Sequence, residues 1–282
     1  MEILSYPFMQ RALISAALIG TVCAVIGVYV VLRSMAFIGA GIAHASFGGV
    51  ALGLVLGINP FFTTIFFCLG AAWGIAFLGE ERKVREDSAV GIFFASTMAF
   101  GVLLIGLMKG YQADLFGYLF GNILAVSRFD LHSSIVIALL VLGAVWYFFK
   151  EFLLLTFDPE MAKVTGLKVK GLNLLMMSLI AITIVLSIKS VGIVLVSALI
   201  VTPAASGLLL SDDFKKVMGL SILIGVGSTW FGLFLSVWFN LASGATIVMV
   251  TTGIFFICYF LSPERRKLGR NIDQLRTRMQ NQ

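Results

Sequence analysis

The sequence has 282 residues, of which 60% are hydrophobic and 12% are charged, and its mean hydropathy is +1.04. Soluble domains carry about 25% charged residues, so this composition excludes a soluble globular domain and indicates a membrane protein. The net charge of +6 comes from basic residues scattered between apolar runs. This scatter marks loops and argues against nucleic acid as a partner.

Nine apolar segments are long enough to cross the roughly 30 Å hydrocarbon core of a lipid bilayer, and a count of eight to ten remains open. Helices satisfy their own backbone hydrogen bonds in lipid, so the predicted fold is an all-α polytopic membrane protein. A shorter apolar piece, 115–126, is predicted to form a re-entrant or interfacial helix. The predicted spans are 12–32, 36–57, 60–79, 89–108, 131–149, 172–188, 191–209, 217–239 and 245–261.

The basic residues predict the orientation of these spans. Once the loops alternate sides, all of the 20 basic residues but four fall on one side, which should be cytoplasmic. The N-terminus is then outside, and the chain divides into a transmembrane domain, 1–262, and a basic cytoplasmic tail, 263–282. The four exceptions are Arg11, Lys109, Arg128 and Lys189.

The sequence lacks several motifs that mark nucleotide binding or catalysis. It contains no G-x-x-x-x-G-K-[ST] loop, so any energy from ATP must come from another subunit. The G-x-S-x-G and H-E-x-x-H motifs are absent as well, which argues against an enzyme, and no catalytic residue is assigned. All acidic residues lie in or beside loops, whereas proton-coupled carriers usually hold carboxylates at membrane depth. A secondary transporter or channel is therefore a weaker alternative.

One histidine falls within a predicted span. His44 lies in the glycine-rich segment 39–49, where Gly41 and Gly48 share its helical face and allow a neighbouring helix or a water-filled path to approach. An ionisable group at this depth indicates function, and neutral imidazole is a common ligand of divalent transition metals. The alternative is a structural hydrogen bond from His44 to another helix.

The predicted cytoplasmic loop 151–170 contains signals for a short helix. Asp158 can cap it, Pro159 takes its first position, Glu160 lies in its first turn, and Gly166 can end it. So short a helix gains little stability by itself. The pattern favours docking on a cytoplasmic partner, with a solvated connector as the alternative.

The segment Glu160-Met-Ala-Lys-Val-Thr-Gly166, with Ala162 at its third position, resembles the E-A-A-x-x-x-G coupling helix of importer-type ABC permeases and differs from it at Met161. Over nearly its whole length the chain resembles the ABC-3 family of permeases for zinc, manganese and iron. The stretches that carry the resemblance are 30–53, 115–124, 157–166, 191–211 and 241–249.

This resemblance implies a homodimeric permease of the bacterial cytoplasmic membrane. Each subunit would dock its loop helix into a cytoplasmic ATP-binding subunit, and an extracytoplasmic metal-binding protein would deliver the substrate. No cofactor is implied beyond the transported metal ion. The resemblance leaves open a metal chelate or another small molecule as the substrate.

The resemblance also implies roles for individual residues. His44 matches the metal-contacting histidine of the family's G-D-x-x-[SA]-H-A motif, and Ala40 replaces its acidic residue. A hard cation such as manganese would therefore lose an oxygen ligand that it prefers. The further pathway or packing candidates are Gly39, Ala40, Gly41, Gly48 and Pro203.

Overall fold

The computed structural model describes residues 6–80, 86–108, 120–121 and 123–262, and within these ranges it contains helices and no strand. The α-helices run in chain order as α1 (Pro7–Leu32), α2 (Ala36–Leu56), α3 (Pro60–Glu80), α4 (Glu86–Leu107), α5 (Arg128–Tyr147), α6 (Phe149–Phe157), α7 (Pro159–Val164), α8 (Val169–Val191), α9 (Ile193–Leu210), α10 (Phe214–Phe239) and α11 (Ser243–Leu261); a 3-10 helix covers Ile123–Ala125.

Nine of these helices, all except α6 and α7, are long and apolar enough to cross a membrane. The predicted all-α fold and the predicted number of spans are therefore confirmed for the described part of the chain. Most helices extend a few residues beyond the predicted spans, and α1 begins at Pro7.

The structure differs from the prediction at the fifth span. The apolar run 131–149 is divided at Phe148, where α5 ends and α6 begins. Part of the predicted loop 151–170 is consequently helical. Helix α6 is too short to cross a membrane, and it buries Phe152 and Leu155 while Phe157 stays exposed.

Burial divides the nine long helices into central and peripheral ones. Most of α1, α2 and α8 is buried inside the protein, whereas most of α4, α5 and α11 is partly or fully exposed. Such exposed apolar surface matches a hydrocarbon surrounding rather than water.

Glycines allow α1 and α10 to pack closely. A Cβ added to Gly20 of α1 would lie 2.8 Å from the carbonyl oxygen of Gly225 in α10, so the two backbones are in contact. Next to this contact the Thr229 hydroxyl donates a hydrogen bond to the Ala16 carbonyl at 3.1 Å, and Trp230 Nε1 donates to the Leu13 carbonyl at 3.1 Å. Small residues and interhelical hydrogen bonds of this kind hold helices together in lipid.

A single residue, Gly192, connects α8 to α9. Its φ of 93° and ψ of 159° fall in a region that is essentially restricted to glycine. The backbones of Gly121 and Gly244 lie so close to Val191 that a Cβ on either would overlap it. The described residues of the predicted re-entrant segment 115–126 therefore contact the ends of α8 and α11, and the rest of that segment lies outside the described residues.

Candidate functional site

His44 lies on α2, eight residues beyond its first residue, or roughly 12 Å along the helix axis. The ring is partly exposed, and its Nδ1 lies 2.9 Å from the carbonyl oxygen of Ala40. A carbonyl oxygen can only accept, so Nδ1 carries the hydrogen, and Nε2 of the neutral ring keeps its lone pair. His44 can therefore offer Nε2 to a cation.

The His44 ring contacts an aromatic residue of α4. The ring centroids of His44 and Phe94 are 4.5 Å apart, with an angle of 51° between the planes. This contact and the Ala40 hydrogen bond fix the position of the imidazole. Sequence reasoning did not identify Phe94, because nothing in the sequence relates a residue of the fourth span to His44.

The candidate glycines of α2 lie against neighbouring helices. A Cβ on Gly41 would lie 2.6 Å from Cγ1 of Val90 in α4, and a Cβ on Gly48 would lie 2.9 Å from the carbonyl oxygen of Thr97. Gly48 also faces Phe67 of α3. These glycines let α2 pack closely against α3 and α4, which positions His44 beside α4.

Gly39, Ala40 and Pro203 occupy different surroundings. Gly39 is buried and faces Ser197, so α2 meets α9 at this point. Ala40 is partly exposed, and it contributes its carbonyl group, while its methyl side chain offers no ligand atom. Pro203 is buried within α9, in a turn that packs against α1 at Gly27.

The residues around His44 supply few metal ligands. Across the described ranges, no group of three or more His, Cys, Asp or Glu side chains could hold a metal ion. His44 thus presents a single nitrogen ligand beside glycines and a phenyl ring. A metal ion of borderline hardness can bind this nitrogen briefly. A site with one ligand suits passage of the ion better than tight retention.

The second candidate region is α7, a short helix that residues of its own segment cap at both ends. Asp158 Oδ1 accepts a hydrogen bond from the Met161 backbone N–H at 2.8 Å, and Pro159 follows the cap. At the other end Gly166 has a φ of +81°, and its N–H donates to the Lys163 carbonyl at 3.1 Å. The Leu167 N–H donates to the Ala162 carbonyl at 3.1 Å, which completes a glycine-terminated cap.

Helix α7 buries one residue and exposes the others. Ala162 is fully buried, whereas Met161 is 51% exposed and Val164 is 82% exposed. Glu160 and Lys163 are exposed as well. A capped six-residue helix with exposed apolar side chains between charged ones is a suitable docking surface for another protein.

Beside α7 lies a cleft of about 290 Å³ that sequence reasoning missed. On its wall, Nη2 of Arg33 donates a hydrogen bond to Oδ1 of Asn173 in α8 at 2.8 Å. The sequence shows Arg33 as a basic residue between two spans, but it gives no signal that pairs it with Asn173. The lining residues are Arg33, Ala76, Gly79, Leu155, Pro159, Lys163, Val169, Lys170 and Asn173.

Comparison with known proteins places this architecture in a family. A profile of the ABC 3 transport family matches residues 5–262. The manganese transport system membrane protein MntC of Listeria monocytogenes is 41% identical over 263 residues, which cover 93% of this chain and 94% of that protein. A probable iron transport system membrane protein of Haemophilus influenzae is 34% identical, with 94% of this chain and 97% of that protein covered.

A solved structure agrees with these relatives. The chain is similar to the structure described as PsaBC from Streptococcus pneumoniae in complex with Fab, with a TM-score of 0.85 and 36% identity. The match covers 95% of this chain and 97% of the other. The chain is therefore a multi-pass membrane protein that belongs to the ABC 3 transport family.

Proposed function

We propose that this protein is the membrane-spanning permease subunit of an ABC importer for a divalent transition metal ion, with manganese as the first candidate. The observation that carries the proposal is its similarity, along 93% of its length, to a protein named as part of a manganese transport system. The partly exposed His44, with Nε2 available to a cation, supports a metal ion as the substrate.

Helix α7 supports a separate subunit as the source of ATP energy. The chain has no phosphate-binding loop, and α7 offers Met161 and Val164 as exposed apolar contacts. We infer that α7 docks into a cytoplasmic ATP-binding subunit. Its caps at Asp158 and Gly166 satisfy backbone groups at both ends, which favours the helical form before docking and reduces the entropic cost of docking.

The orientation and the other partners belong to the same proposal. The clustering of basic residues on one side supports a cytoplasmic α7 and C-terminus and an extracytoplasmic N-terminus in a bacterial cytoplasmic membrane. Two copies of the chain would form the permease, and an extracytoplasmic binding protein would deliver the metal ion. Because the site around His44 has a single nitrogen ligand, we infer that most of the selectivity lies in the delivering protein.

Iron is the second candidate substrate. The relative from Haemophilus influenzae is described as part of a probable iron transport system and is 34% identical to this chain. Imidazole nitrogen suits iron, whereas manganese prefers oxygen ligands, so His44 by itself favours iron and the sequence similarity favours manganese. A substrate comparison must therefore measure both metals in the same cells.

The experiment that tests the proposal measures metal uptake and subunit recovery together. Cells that express the tagged chain with its ATP-binding subunit should accumulate manganese, and the tag should recover that subunit. Val164→Asp, on the exposed face of α7, should lower both readouts, because it places a charge in an apolar contact. Lys168→Asp is the matched control, since Lys168 is exposed just beyond α7. Recovery and uptake unaffected by Val164→Asp would refute docking through α7.

A further inference from the structure

We propose that the cleft beside α7 binds the phosphate headgroup of an anionic phospholipid, with an acyl chain lying along the seam between α3 and α8. The cleft is lined by the end of α3, the beginning of α8, and residues of α6 and α7. It thus lies where membrane-spanning helices leave the apolar layer. Its assignment to the inner leaflet rests on the orientation proposed above.

The charge of the cleft suits a phosphate group. Its lining carries three basic side chains, those of Arg33, Lys163 and Lys170, together with the Asn173 amide. Among the lining residues that the structure describes, none is an Asp or a Glu. Basic pockets between transmembrane helices at the cytoplasmic surface bind anionic lipid headgroups, because each Lys or Arg there attracts the negative charge.

Arg33 is held in place before any ligand arrives. Its guanidinium is partly buried, and Nη2 donates to Oδ1 of Asn173 at 2.8 Å, a bond that joins residues 140 positions apart. A guanidinium held in this way keeps its positive charge at the wall of the cleft, where it can attract a phosphate. The cleft volume of about 290 Å³ is large enough for a phosphate and its glycerol unit.

An apolar surface continues from the cleft along α3. Ala76 lines the cleft, and Trp73 and Phe77, which flank Ala76 on the helix, are 45% and 58% exposed. Trp73 Nε1 donates to the Ser178 hydroxyl of α8 at 2.9 Å, so the indole lies on the seam between the two helices. This surface can contact an acyl chain.

The basic cleft and the adjoining apolar surface together distinguish a lipid from an acidic side chain of a protein partner. Either could use the positive charge of Arg33 and Lys170. A lipid also contacts the exposed surface of Trp73 and Phe77, which a water-soluble partner does not reach, because these side chains lie on a helix long and apolar enough to span the membrane. A phospholipid fits both halves of the site.

The test is native mass spectrometry of the purified full chain in detergent. Phosphatidylglycerol and phosphatidylcholine with the same acyl chains are added in turn, and the lipid-bound fraction is measured. The wild type should retain phosphatidylglycerol in preference. Lys170→Gln and Arg33→Gln should each weaken that binding about fivefold, since one basic side chain near the surface is lost. Lys168→Gln is the matched control, because Lys168 is exposed at the start of α8 but does not line the cleft.

Two further measurements distinguish a lipid headgroup from free phosphate and from a docked protein subunit. Inorganic phosphate at millimolar concentration should leave the bound lipid in place, and displacement by phosphate would overturn the proposal of a lipid. Arg33→Gln can disturb folding through Asn173, whereas Lys170 is exposed, so Lys170→Gln keeps the test decisive. Unchanged lipid binding by Lys170→Gln would overturn the proposal, and reduced recovery of an ATP-binding subunit by the same variant would then assign the cleft to subunit docking.

Discussion

Nδ1 of His44 lies 2.9 Å from the carbonyl oxygen of Ala40, one helical turn earlier. Position 40 therefore acts on the histidine through its backbone, which any residue supplies, and not through its methyl side chain. The hydrogen bond keeps the proton on Nδ1 and leaves Nε2 as the candidate ligand atom.

We expect His44→Ala to lower manganese uptake about tenfold or more, because the only imidazole of α2 is lost. Subunit recovery should stay normal. His132→Ala is a matched control, since His132 Nδ1 also bonds to a carbonyl four residues earlier, that of Arg128, at 2.7 Å on an exposed surface. If His44 serves only helix packing, the variant will instead lower the yield of folded protein. Unchanged uptake would refute the role as ligand.

Ala40→Asp should increase the amount of metal that the assembled complex retains. Residues four apart share a helical face, so the new carboxylate lies beside His44 and adds an oxygen ligand. Elemental analysis of the purified complex measures the effect. Ala40→Asn has the same shape without the charge and should retain less metal. Equal metal content in the wild type and the Asp variant would contradict the assignment of this face to the metal path.

Gly166→Ala should weaken coupling between ATP hydrolysis and transport. Gly166 has a φ of +81°, and a residue with a Cβ in that conformation costs about 1–2 kcal/mol. Gly166→Pro should be more severe, because it also removes the N–H that bonds to Lys163. Gly171→Ala is the control, since Gly171 lies in helical α8. The readouts are subunit recovery and ATPase rate. Equal effects at positions 166 and 171 would show that coupling does not depend on the cap at Gly166.

The proposed orientation predicts which introduced cysteines react with impermeant thiol reagents in sealed cells. Cysteines at Lys163 and Lys215 should be protected, and cysteines at Ile58 and Leu241 should be labelled. All four side chains are exposed in the structure. The three native cysteines are buried and should give little background. Labelling at Lys163 from outside would reverse the orientation.

Gly225→Val should lower the melting temperature in detergent, because the added carbons meet the backbone of Gly20. Overpacking of this kind costs about 1–3 kcal/mol. Gly219→Val, on the same helix, is the control, since nothing lies within 4 Å of a Cβ at that position. Equal melting temperatures for the two variants would show that α1 and α10 can separate at little cost.

The sequence predicts those structural features that depend only on residues close together along the chain. Apolar run length identifies the nine long helices, and the cap residues Asp158 and Gly166 identify α7. The division at Phe148 was missed because the run 131–149 is apolar on both sides of it. The bond from Arg33 to Asn173 and the contact of His44 with Phe94 depend on how helices pack in three dimensions. A single sequence contains no periodic signal for such pairs.

The connection through Gly192 has a genetic consequence. Its φ of 93° and ψ of 159° are open to glycine and closed to residues with a Cβ. Every single-base change in a glycine codon is silent, creates a stop, or encodes an amino acid that has a Cβ. A missense mutation at this codon therefore cannot be conservative, because even alanine must distort the one residue that joins α8 to α9.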